Sequence, residues 1–248
     1  MSESLNGQVV LITGAAKRLG AAMARAFHAA GARVAIHYRQ SAHEAAQLRD
    51  ELNTSRRDSA IATSADLLDV AQLSDLVERT VAAFGRLDVL INNASTFYPT
   101  PVGSIAPAQW DDLMGTNLKA PLFLSQAAAP WLRRSQGLIV NMIDIHGQRP
   151  LPEHPVYSSA KAGLIMLTRS LARELAPEVR VNGIAPGPIL WPEGGLDPHL
   201  QQEIIDKTAL KRRGSPDDIA RTALFFATDA PYVTGQILAV DGGRSLGW

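Results

Sequence analysis

Cysteine is absent from the 248-residue sequence. Its absence excludes disulfide bonds, iron–sulfur clusters, thiolate zinc sites and cysteine nucleophiles. An excess of charge of one sign is also missing, because 24 Lys and Arg residues balance 24 Asp and Glu residues. Such a chain lacks the long-range basic field that attracts nucleic acids or anionic lipids, so we expect it to bind neither.

Long apolar runs are missing as well. No stretch approaches the ~18 consecutive apolar residues that a membrane-spanning helix requires. Residues 1–13 contain neither the basic segment nor the apolar core of a secretory signal. The six histidines show no spacing typical of metal ligands. We therefore expect a cytoplasmic protein with no membrane segment and no bound metal.

The sequence does contain a regular alternation of short β-branched apolar runs and alanine-rich segments of helical period. This alternation predicts an α/β fold: one doubly wound, Rossmann-type parallel sheet with helices on both faces, in a single domain over residues 1–248. The runs that we interpret as buried strands are Val9–Thr13, Arg33–His37, Leu87–Ile91, Leu138–Met142, Val179–Ile184 and Ile237–Val240.

A stretch rich in proline and glycine interrupts this alternation at residues 186–199. Its composition is incompatible with a regular helix or an inner strand. Because it follows a strand, where open α/β sheets place their ligand crevice, we expect residues 186–208 to form a substrate flap. A plain surface loop is the alternative. The next helix has clear start signals, with Ser215 at the cap position and Pro216 at the first helical position.

Small residues and two cations follow the first strand, in the segment 13–20 that opens an alanine-rich helix. Small residues let the backbone approach a pyrophosphate, and the helix N-terminus offers it free N–H groups. The segment resembles the cofactor turn of the short-chain dehydrogenase/reductase family, Thr-Gly-x-x-x-Gly-x-Gly, with an arginine in place of the middle glycine. An ordinary tight turn is the alternative. The predicted cofactor-binding residues of the turn are Gly14, Lys17, Arg18, Leu19 and Gly20.

The end of the second strand indicates which dinucleotide binds. NAD enzymes usually carry an acid there, which accepts a hydrogen bond from the ribose 2′-hydroxyl. Here no acid occurs until Glu44, and Arg39 and Lys17 supply positive charge for a 2′-phosphate. The sequence therefore favours NADPH, although Arg39 is also compatible with a solvated turn residue. The predicted cofactor residues of this strand end are His37, Tyr38, Arg39 and Ser41, of which the serine can instead cap the next helix.

Other strand ends extend the resemblance. Asp66-Leu67 resembles the adenine-contacting pair of the family, and Asn93-Ala94-Ser95 resembles its Asn-Ala-Gly segment with a serine for the glycine. Asx-rich strand ends are also common turn formers, so a structural role is the alternative. The family's structural asparagine on the long helix corresponds to Asn117. After the predicted strand Val179–Ile184 we assign Pro186, Gly187 and Ile189 to the cofactor site.

A tyrosine and a lysine four residues apart, Tyr157 and Lys161, share one face if the segment is helical. An apolar stripe at helical spacing follows them and supports that placement. A nearby ammonium favours phenolate, so we expect the pKa of Tyr157 to be lowered toward a working value and Tyr157 to act as general acid in a reduction. A pair on the helix surface is the alternative, but the family has its catalytic pair at this position.

The family usually has a serine thirteen residues before the tyrosine, and here that residue is Asp144. A hydroxyl only orients a carbonyl oxygen, whereas a carboxyl also holds and donates a proton if burial raises its pKa. Either activity has been lost, or the substrate needs a proton donor.

Together these residues resemble the pteridine reductase subgroup along essentially the whole chain. The resemblance implies a homotetramer that reduces a dihydropterin, a dihydrofolate or an oxidised pterin with NADPH. It implies a catalytic set of Asn117 and a proton relay of Asp144, Tyr157 and Lys161. Tyr157 and Lys161 are also predicted to bind the cofactor. It also implies that Phe97 stacks on the substrate ring and that Arg18, Ser95, Asp144 and Tyr157 contact the substrate. We add Leu190 and Trp191 of the flap to this predicted substrate set, although Trp191 has no counterpart in the subgroup. The alternatives are a 3-ketoacyl or sugar carbonyl reductase and a non-catalytic NADP(H)-binding module.

Overall fold

The computed structural model of the chain describes residues 5–192 and 194–247. The strands within these residues are β1 (Val9–Ile12), β2 (Arg33–Tyr38), β3 (Ala60–Ser64), β4 (Val89–Asn92), β5 (Leu138–Met142), β6 (Arg180–Pro186) and β7 (Ile237–Val240). They form one sheet in the order β3-β2-β1-β4-β5-β6-β7, and every neighbouring pair is parallel. The predicted doubly wound sheet is confirmed.

Helices cover both faces of this sheet. They are α1 (Arg18–Ala29), α2 (Ala42–Ser55), α3 (Val70–Phe84), α4 (Pro107–Met114), α5 (Ala120–Ser135), α6 (Pro155–Glu174), α7 (Pro198–Asp206) and α8 (Pro216–Thr228). A π-helical segment at Gly115–Lys119 joins α4 to α5, and a 3₁₀ turn at Ile145–Gly147 precedes α6. Among the helices at residues 5–192 and 194–247, none combines the length and the apolar character that a membrane crossing requires.

Successive side chains of β1 point to opposite faces of the sheet and reach two different cores. Val10 and Ile12 pack with residues of α1, α2 and α8. Val9 and Leu11 pack with residues of α3 and α5. All four side chains are fully buried. Burial on both faces explains why this strand reads as a continuous apolar run rather than as an alternating one.

Four of the six predicted strands have different bounds in the structure, since Arg33–His37 extends to Tyr38 and Val179–Ile184 becomes Arg180–Pro186, and the other two differences have identifiable reasons. The predicted strand Val9–Thr13 ends at Ile12, because the Thr13 hydroxyl accepts hydrogen bonds from the N–H groups that follow β4. The predicted strand Leu87–Ile91 begins only at Val89, because Asp88 uses its carboxylate to accept from the backbone N–H of Val9. Both differences concern polar residues that connect neighbouring strand ends.

The predicted flap at residues 186–208 is not irregular throughout, and the expectation that 186–199 contains no helix is wrong at its end. Helix α7 begins at Pro198, because the Asp197 carboxylate caps it by accepting two backbone N–H groups. The helix after the flap begins as predicted: Ser215 caps α8 in a capping box with Asp218.

Candidate active site

A cleft of about 360 Å³ opens at the carboxyl ends of β1, β2 and β4, where the strand order reverses. Open α/β sheets bind ligands at this switch point. Twelve of the predicted residues line it, and Thr96 and Thr116 are lining residues that the sequence analysis missed. The lining residues are Gly14, Lys17, Arg18, Leu19, Gly20, His37, Arg39, Asp66, Leu67, Asn93, Ala94, Ser95, Thr96 and Thr116.

The turn after β1 is packed too closely for side chains at two glycines. Gly14 has a φ of +60°, which favours glycine, and an added Cβ would lie 3.1 Å from the Cα of Ala94. A Cβ on Gly20 would lie 2.4 Å from the carbonyl oxygen of Gly14. The backbone therefore forms a cradle beside the N-terminus of α1, which fits a pyrophosphate.

Asn93 holds the end of β4 against this turn. Its side-chain amide donates to the carbonyl oxygen of Thr13 at 2.7 Å, and its backbone N–H donates to the Thr13 hydroxyl at 2.9 Å. The backbone N–H of Ala94 donates to the same hydroxyl. The predicted Asn-Ala-Ser segment thus fixes one wall of the cleft.

His37 is a buried connector behind the turn. Its Nδ1 accepts the backbone N–H of Gly14 at 3.1 Å, and its Nε2 donates to the carbonyl oxygen of Ala65 at 3.1 Å. Burial lowers the pKa of His37 to about 4, so the imidazole is neutral at physiological pH. A neutral ring is what this arrangement requires, because one nitrogen accepts and the other donates.

The two cations predicted for a 2′-phosphate differ in their surroundings. Lys17 Nζ lies 2.6 Å from a Glu44 carboxylate oxygen. Glu44, in the first turn of α2, therefore balances part of the positive charge that Lys17 was predicted to supply. Arg39 is exposed in the cleft. Ser41 stands at the cap position of α2, but its side chain makes no capping hydrogen bond.

Seven predicted cofactor residues lie outside the cleft lining. Ile189 is buried in the core between the sheet and helices α1, α2 and α8. The Gly187 N–H donates to the Val240 carbonyl oxygen. A Cβ added to Gly187 would lie 2.5 Å from the Cβ of Asp241. These positions shape the end of β6 and pack it on β7. The seven are Tyr38, Ser41, Tyr157, Lys161, Pro186, Gly187 and Ile189.

The flap approaches the phosphate turn at one point. Arg18 has a φ of +54° at the position where the family has glycine, so its backbone is strained. Its guanidinium donates to the carbonyl oxygen of Trp191 at 3.0 Å. Leu190, beside it, packs against the first core. The contact of Trp191 with the turn is a feature that the sequence analysis did not assign.

Asp144, Tyr157 and Lys161 come together at the carboxyl end of β5. The Tyr157 hydroxyl donates to Asp144 Oδ2 at 2.8 Å, and the other carboxylate oxygen accepts the backbone N–H of His146 at 2.9 Å. Lys161 Nζ donates to the Met142 carbonyl oxygen at 2.9 Å and lies 5.6 Å from the centre of the Tyr157 ring. The predicted relay residues are thus in contact through one hydrogen bond and one cation–ring approach.

The pKa of Tyr157 is raised well above its usual value, which overturns the expected lowering. Burial is the main cause, and the adjacent Asp144 carboxylate adds to it. The expectation considered Lys161 alone, but burial lowers the pKa of that lysine to about 8. Tyr157 therefore remains a proton donor over the physiological range, and the lysine charge varies near neutral pH.

Asn117 acts through its neighbours. Its side-chain amide donates to the carbonyl oxygens of Thr96 and Leu113, both at 2.9 Å. Its oxygen accepts the Ser95 hydroxyl at 2.6 Å. Asn117 lies in the π-helical segment, a distortion that is frequent at functional sites. These contacts connect Asn117 to Ser95, and its place in the catalytic set stays a prediction.

An aromatic group stands above the tyrosine. The rings of Phe97 and His154 are stacked, with centroids 4.7 Å apart and planes 12° apart. Phe97 also meets Tyr157 edge-on at 4.9 Å. The sequence analysis missed His154, although its position three residues before Tyr157 places it at the start of the same helix.

Comparisons with known proteins agree with this architecture. A family model described as Enoyl-(Acyl carrier protein) reductase matches residues 14–245. Pteridine reductase 1 of Leishmania tarentolae is 37% identical over 99% of both chains. The 3-oxoacyl-(acyl-carrier-protein) reductase FabG of Staphylococcus aureus N315 is 35% identical over 95% of this chain and 97% of its own.

A solved structure described as a short-chain alcohol dehydrogenase of Sinorhizobium meliloti 1021 superposes with a TM-score of 0.93 at 32% identity, covering 99% of both chains. The fold and the site define an oxidoreductase with a dinucleotide cleft. The chain belongs to the short-chain dehydrogenase/reductase family.

Proposed function

We propose that the protein reduces a pterin ring, as dihydropterin, dihydrofolate or oxidised pterin, with NADPH. The carrying observation is the 2.8 Å hydrogen bond from the Tyr157 hydroxyl to the Asp144 carboxylate. Because relatives named for pterin and for 3-oxoacyl substrates are similarly identical to this chain, overall identity does not choose between them. We therefore base the choice between a pterin and a 3-oxoacyl substrate on Asp144.

Asp144 bears on which substrate atom receives a proton. Reduction of a carbonyl adds a proton to oxygen, and a pair of hydroxyls suffices for it. Reduction of a ring C=N bond adds hydride to carbon and a proton to nitrogen. We infer that the Tyr157 hydroxyl supplies this proton, and that the Asp144 carboxylate accepts it and passes it to the ring nitrogen. The phenolate left on Tyr157 is stabilised by the buried ammonium of Lys161.

NADPH, when bound, supplies the hydride. The glycines of the turn after β1 leave room for its pyrophosphate, and the N-terminus of α1 faces that room. Arg39 supports the choice of NADPH over NADH, because it is exposed at the end of β2. The nearby acid, Glu44, is paired with Lys17 and so does not repel a 2′-phosphate strongly.

The substrate class is tested by comparing NADPH oxidation with dihydrobiopterin, dihydrofolate and a 3-ketoacyl thioester. We expect turnover of the two pterins, little or none of the thioester, and inhibition by diaminopteridine antifolates. Asp144→Ser should lose most pterin turnover while it still binds NADPH. Efficient reduction of the thioester with inert pterins would contradict the proposal and favour the carbonyl reductase. Binding of NADPH without turnover of any substrate would favour a non-catalytic module.

The cofactor choice is tested by fluorescence titration of NADPH and NADH. We expect tighter binding of NADPH, and Arg39→Ala should weaken NADPH about tenfold or more while NADH changes little. Arg57→Ala is a matched control, because Arg57 is exposed at the far end of α2. Equal dissociation constants for the two cofactors would rule the preference out.

We further propose the homotetramer that the family resemblance implies. Two separate faces support it by exposing large apolar side chains, a pattern typical of interfaces. Leu122 and Met166 are exposed on α5 and α6, and Phe225 and Leu238 on α8 and β7. Light scattering should give about four times the 26.6 kDa chain mass. A monomer at micromolar concentration would refute it.

A further inference from the structure

We propose that His154 is a positioning residue for a flat substrate. It holds the Phe97 ring at the angle at which the ring's other face stacks on that substrate. The inference rests on the proposed function, because a heteroaromatic ring is the substrate that such a surface would recognise.

Phe97 is placed as a recognition surface rather than as a core residue. Its side chain is 47% exposed, although the residue directly below it, Tyr157, is buried. His154 covers one face of the ring at 4.7 Å, and the edge-on contact with Tyr157 sets the tilt. The remaining open face is available for offset stacking, the arrangement that aromatic rings prefer.

His154 is the fixed member of the stacked pair. It occupies the cap position of α6, and its carbonyl oxygen accepts the Ser158 N–H at 3.0 Å. Its ring Nδ1 lies 2.7 Å from the Pro152 carbonyl oxygen. Because a carbonyl only accepts, Nδ1 carries the proton, and turning the ring would break this hydrogen bond.

Phe97 is the dependent member. It lies between β4 and α4 in a segment without helix or strand, and its ring has no hydrogen-bonding group. Besides the stacked rings, a backbone hydrogen bond joins this segment to the loop before α6: the Thr100 N–H donates to the Glu153 carbonyl oxygen. This hydrogen bond fixes the loop that carries Phe97 to the start of α6, the helix that also carries Tyr157. This connection sets the substrate ring relative to the proton donor.

The competing interpretation is that His154 occupies the place of the substrate ring and must leave before binding. The two interpretations predict opposite effects of its removal. A positioning residue helps binding, so its loss raises KM. An occupant competes with the substrate, so its loss lowers KM.

The experiment measures kcat and KM for dihydrobiopterin, and the dissociation constant of NADPH, in His154→Ala, His154→Phe, Phe97→Ala and the double alanine variant. We expect His154→Ala to raise KM about 2- to 13-fold, the range that corresponds to an aromatic pair. The values of kcat and NADPH affinity should change little, and His154→Phe should restore KM because it keeps the stacked ring. The double variant should match Phe97→Ala, because His154 acts through Phe97. His43→Ala, at an exposed histidine of α2, is the control.

A lower or unchanged KM in His154→Ala, or additive effects in the double variant, would overturn the proposal. Thermal unfolding of each variant identifies loss of fold, and His154→Phe keeps the test valid if the alanine variant is unstable. Inhibition by a diaminopteridine separates this proposal from the proposed function. If native enzyme does not reduce pterins but His154→Ala weakens that inhibitor, the function fails and the positioning role stands. If native enzyme does not bind the inhibitor, the positioning role fails too.

Discussion

Two regions of the candidate site are held together by different kinds of contact: the turn after β1 with its cleft, which we call the phosphate half, and the group of side chains around Tyr157, which we call the substrate half. In the phosphate half, backbone groups meet directly, and a Cβ on Gly20 would lie 2.4 Å from a carbonyl oxygen. In the substrate half, side-chain rings meet at 4.7 and 4.9 Å around a Phe97 that is half exposed. Close-packed backbone tolerates little change, whereas exposed side chains on loops are replaced with little effect on the fold.

This difference explains how one fold serves several substrates. Each of the relatives compared above covers nearly the whole chain, yet their names include pterin and 3-oxoacyl reductases. On the proposed function, the phosphate half binds the dinucleotide, which both kinds of reductase share. We propose that side chains of the substrate half, such as Phe97 and Asp144, decide the specificity, because they do not support the sheet.

We expect the largest effect from a substitution that prevents proton transfer and leaves the phosphate half intact. Tyr157→Phe removes the hydroxyl that donates to Asp144, so kcat should fall about 10²- to 10⁴-fold. NADPH should bind with native affinity, as measured by fluorescence titration. Tyr232→Phe is the matched control, because Tyr232 is fully exposed on the surface. A near-native kcat in Tyr157→Phe would disprove the relay.

The second prediction concerns pH. Lys161 has a pKa of about 8 because it is buried, and Tyr157 stays protonated because its pKa is raised. As pH rises through about 8, the ammonium that stabilises the relay is lost, so kcat/KM should fall toward a tenfold decrease per pH unit. Lys161→Met should remove this limb and leave a low, flat profile. A native profile that is flat between about pH 7 and pH 9 would contradict the assignment.

Stability should respond to the same titration with the opposite sign. In the unfolded chain the lysine keeps its ordinary pKa of 10.5, whereas in the folded chain it loses its proton near pH 8. Between these values the unfolded state binds more protons, so the free energy of unfolding contributed by Lys161 rises with pH. Comparing thermal unfolding of native protein and Lys161→Met across this window isolates the effect. Equal pH slopes for the two proteins would show that Lys161 keeps its charge when folded.

A substitution at Gly20 should disrupt the phosphate half. Gly20→Ala places a Cβ against backbone that has no flexible end to move, which typically costs about 1–3 kcal/mol in a packed region. We expect a lower Tm and weaker NADPH binding together. Gly247→Ala is the control, because among residues 5–192 and 194–247 its Cβ would meet a single atom, at 4.0 Å. Native Tm and NADPH affinity in Gly20→Ala would mean that the turn is looser than described.

The sequence predicted what local spacing determines. Tyr157 and Lys161 are one helical turn apart, and the glycines of the turn lie within eight residues of β1, so both needed only short-range geometry. The sequence also predicted the alternation that builds the sheet, although it did not delimit β3, whose residues Ala60–Ser64 are only partly buried.

Contacts between residues that are far apart in the sequence could not be predicted from it. The raised pKa of Tyr157 depends on burial and on a carboxylate thirteen residues away. The stacking of Phe97 on His154 joins residues 57 positions apart. Lys17 meets Glu44 only because α1 and α2 start side by side at the same edge of the sheet. Ile189 points into the core because β6 ends there.

The smallest expected effect concerns Arg18, where the two halves touch. Its guanidinium donates to the Trp191 carbonyl oxygen, an exposed hydrogen bond worth about 0.5–1.5 kcal/mol, while its φ of +54° costs about 1–2 kcal/mol. Arg18→Gly loses the bond and relieves the strain, so thermal stability should stay near native. Arg18→Ala loses the bond and keeps the strain, so it should be about 1 kcal/mol less stable than Arg18→Gly.

Both variants should expose the flap to limited proteolysis, because Trp191 loses its anchor on the turn. Equal stabilities of the glycine and alanine variants would show that the backbone at position 18 is unstrained. Native protease resistance in both would show that packing of Leu190 and Ile189 on the core, rather than the arginine, keeps the flap in place.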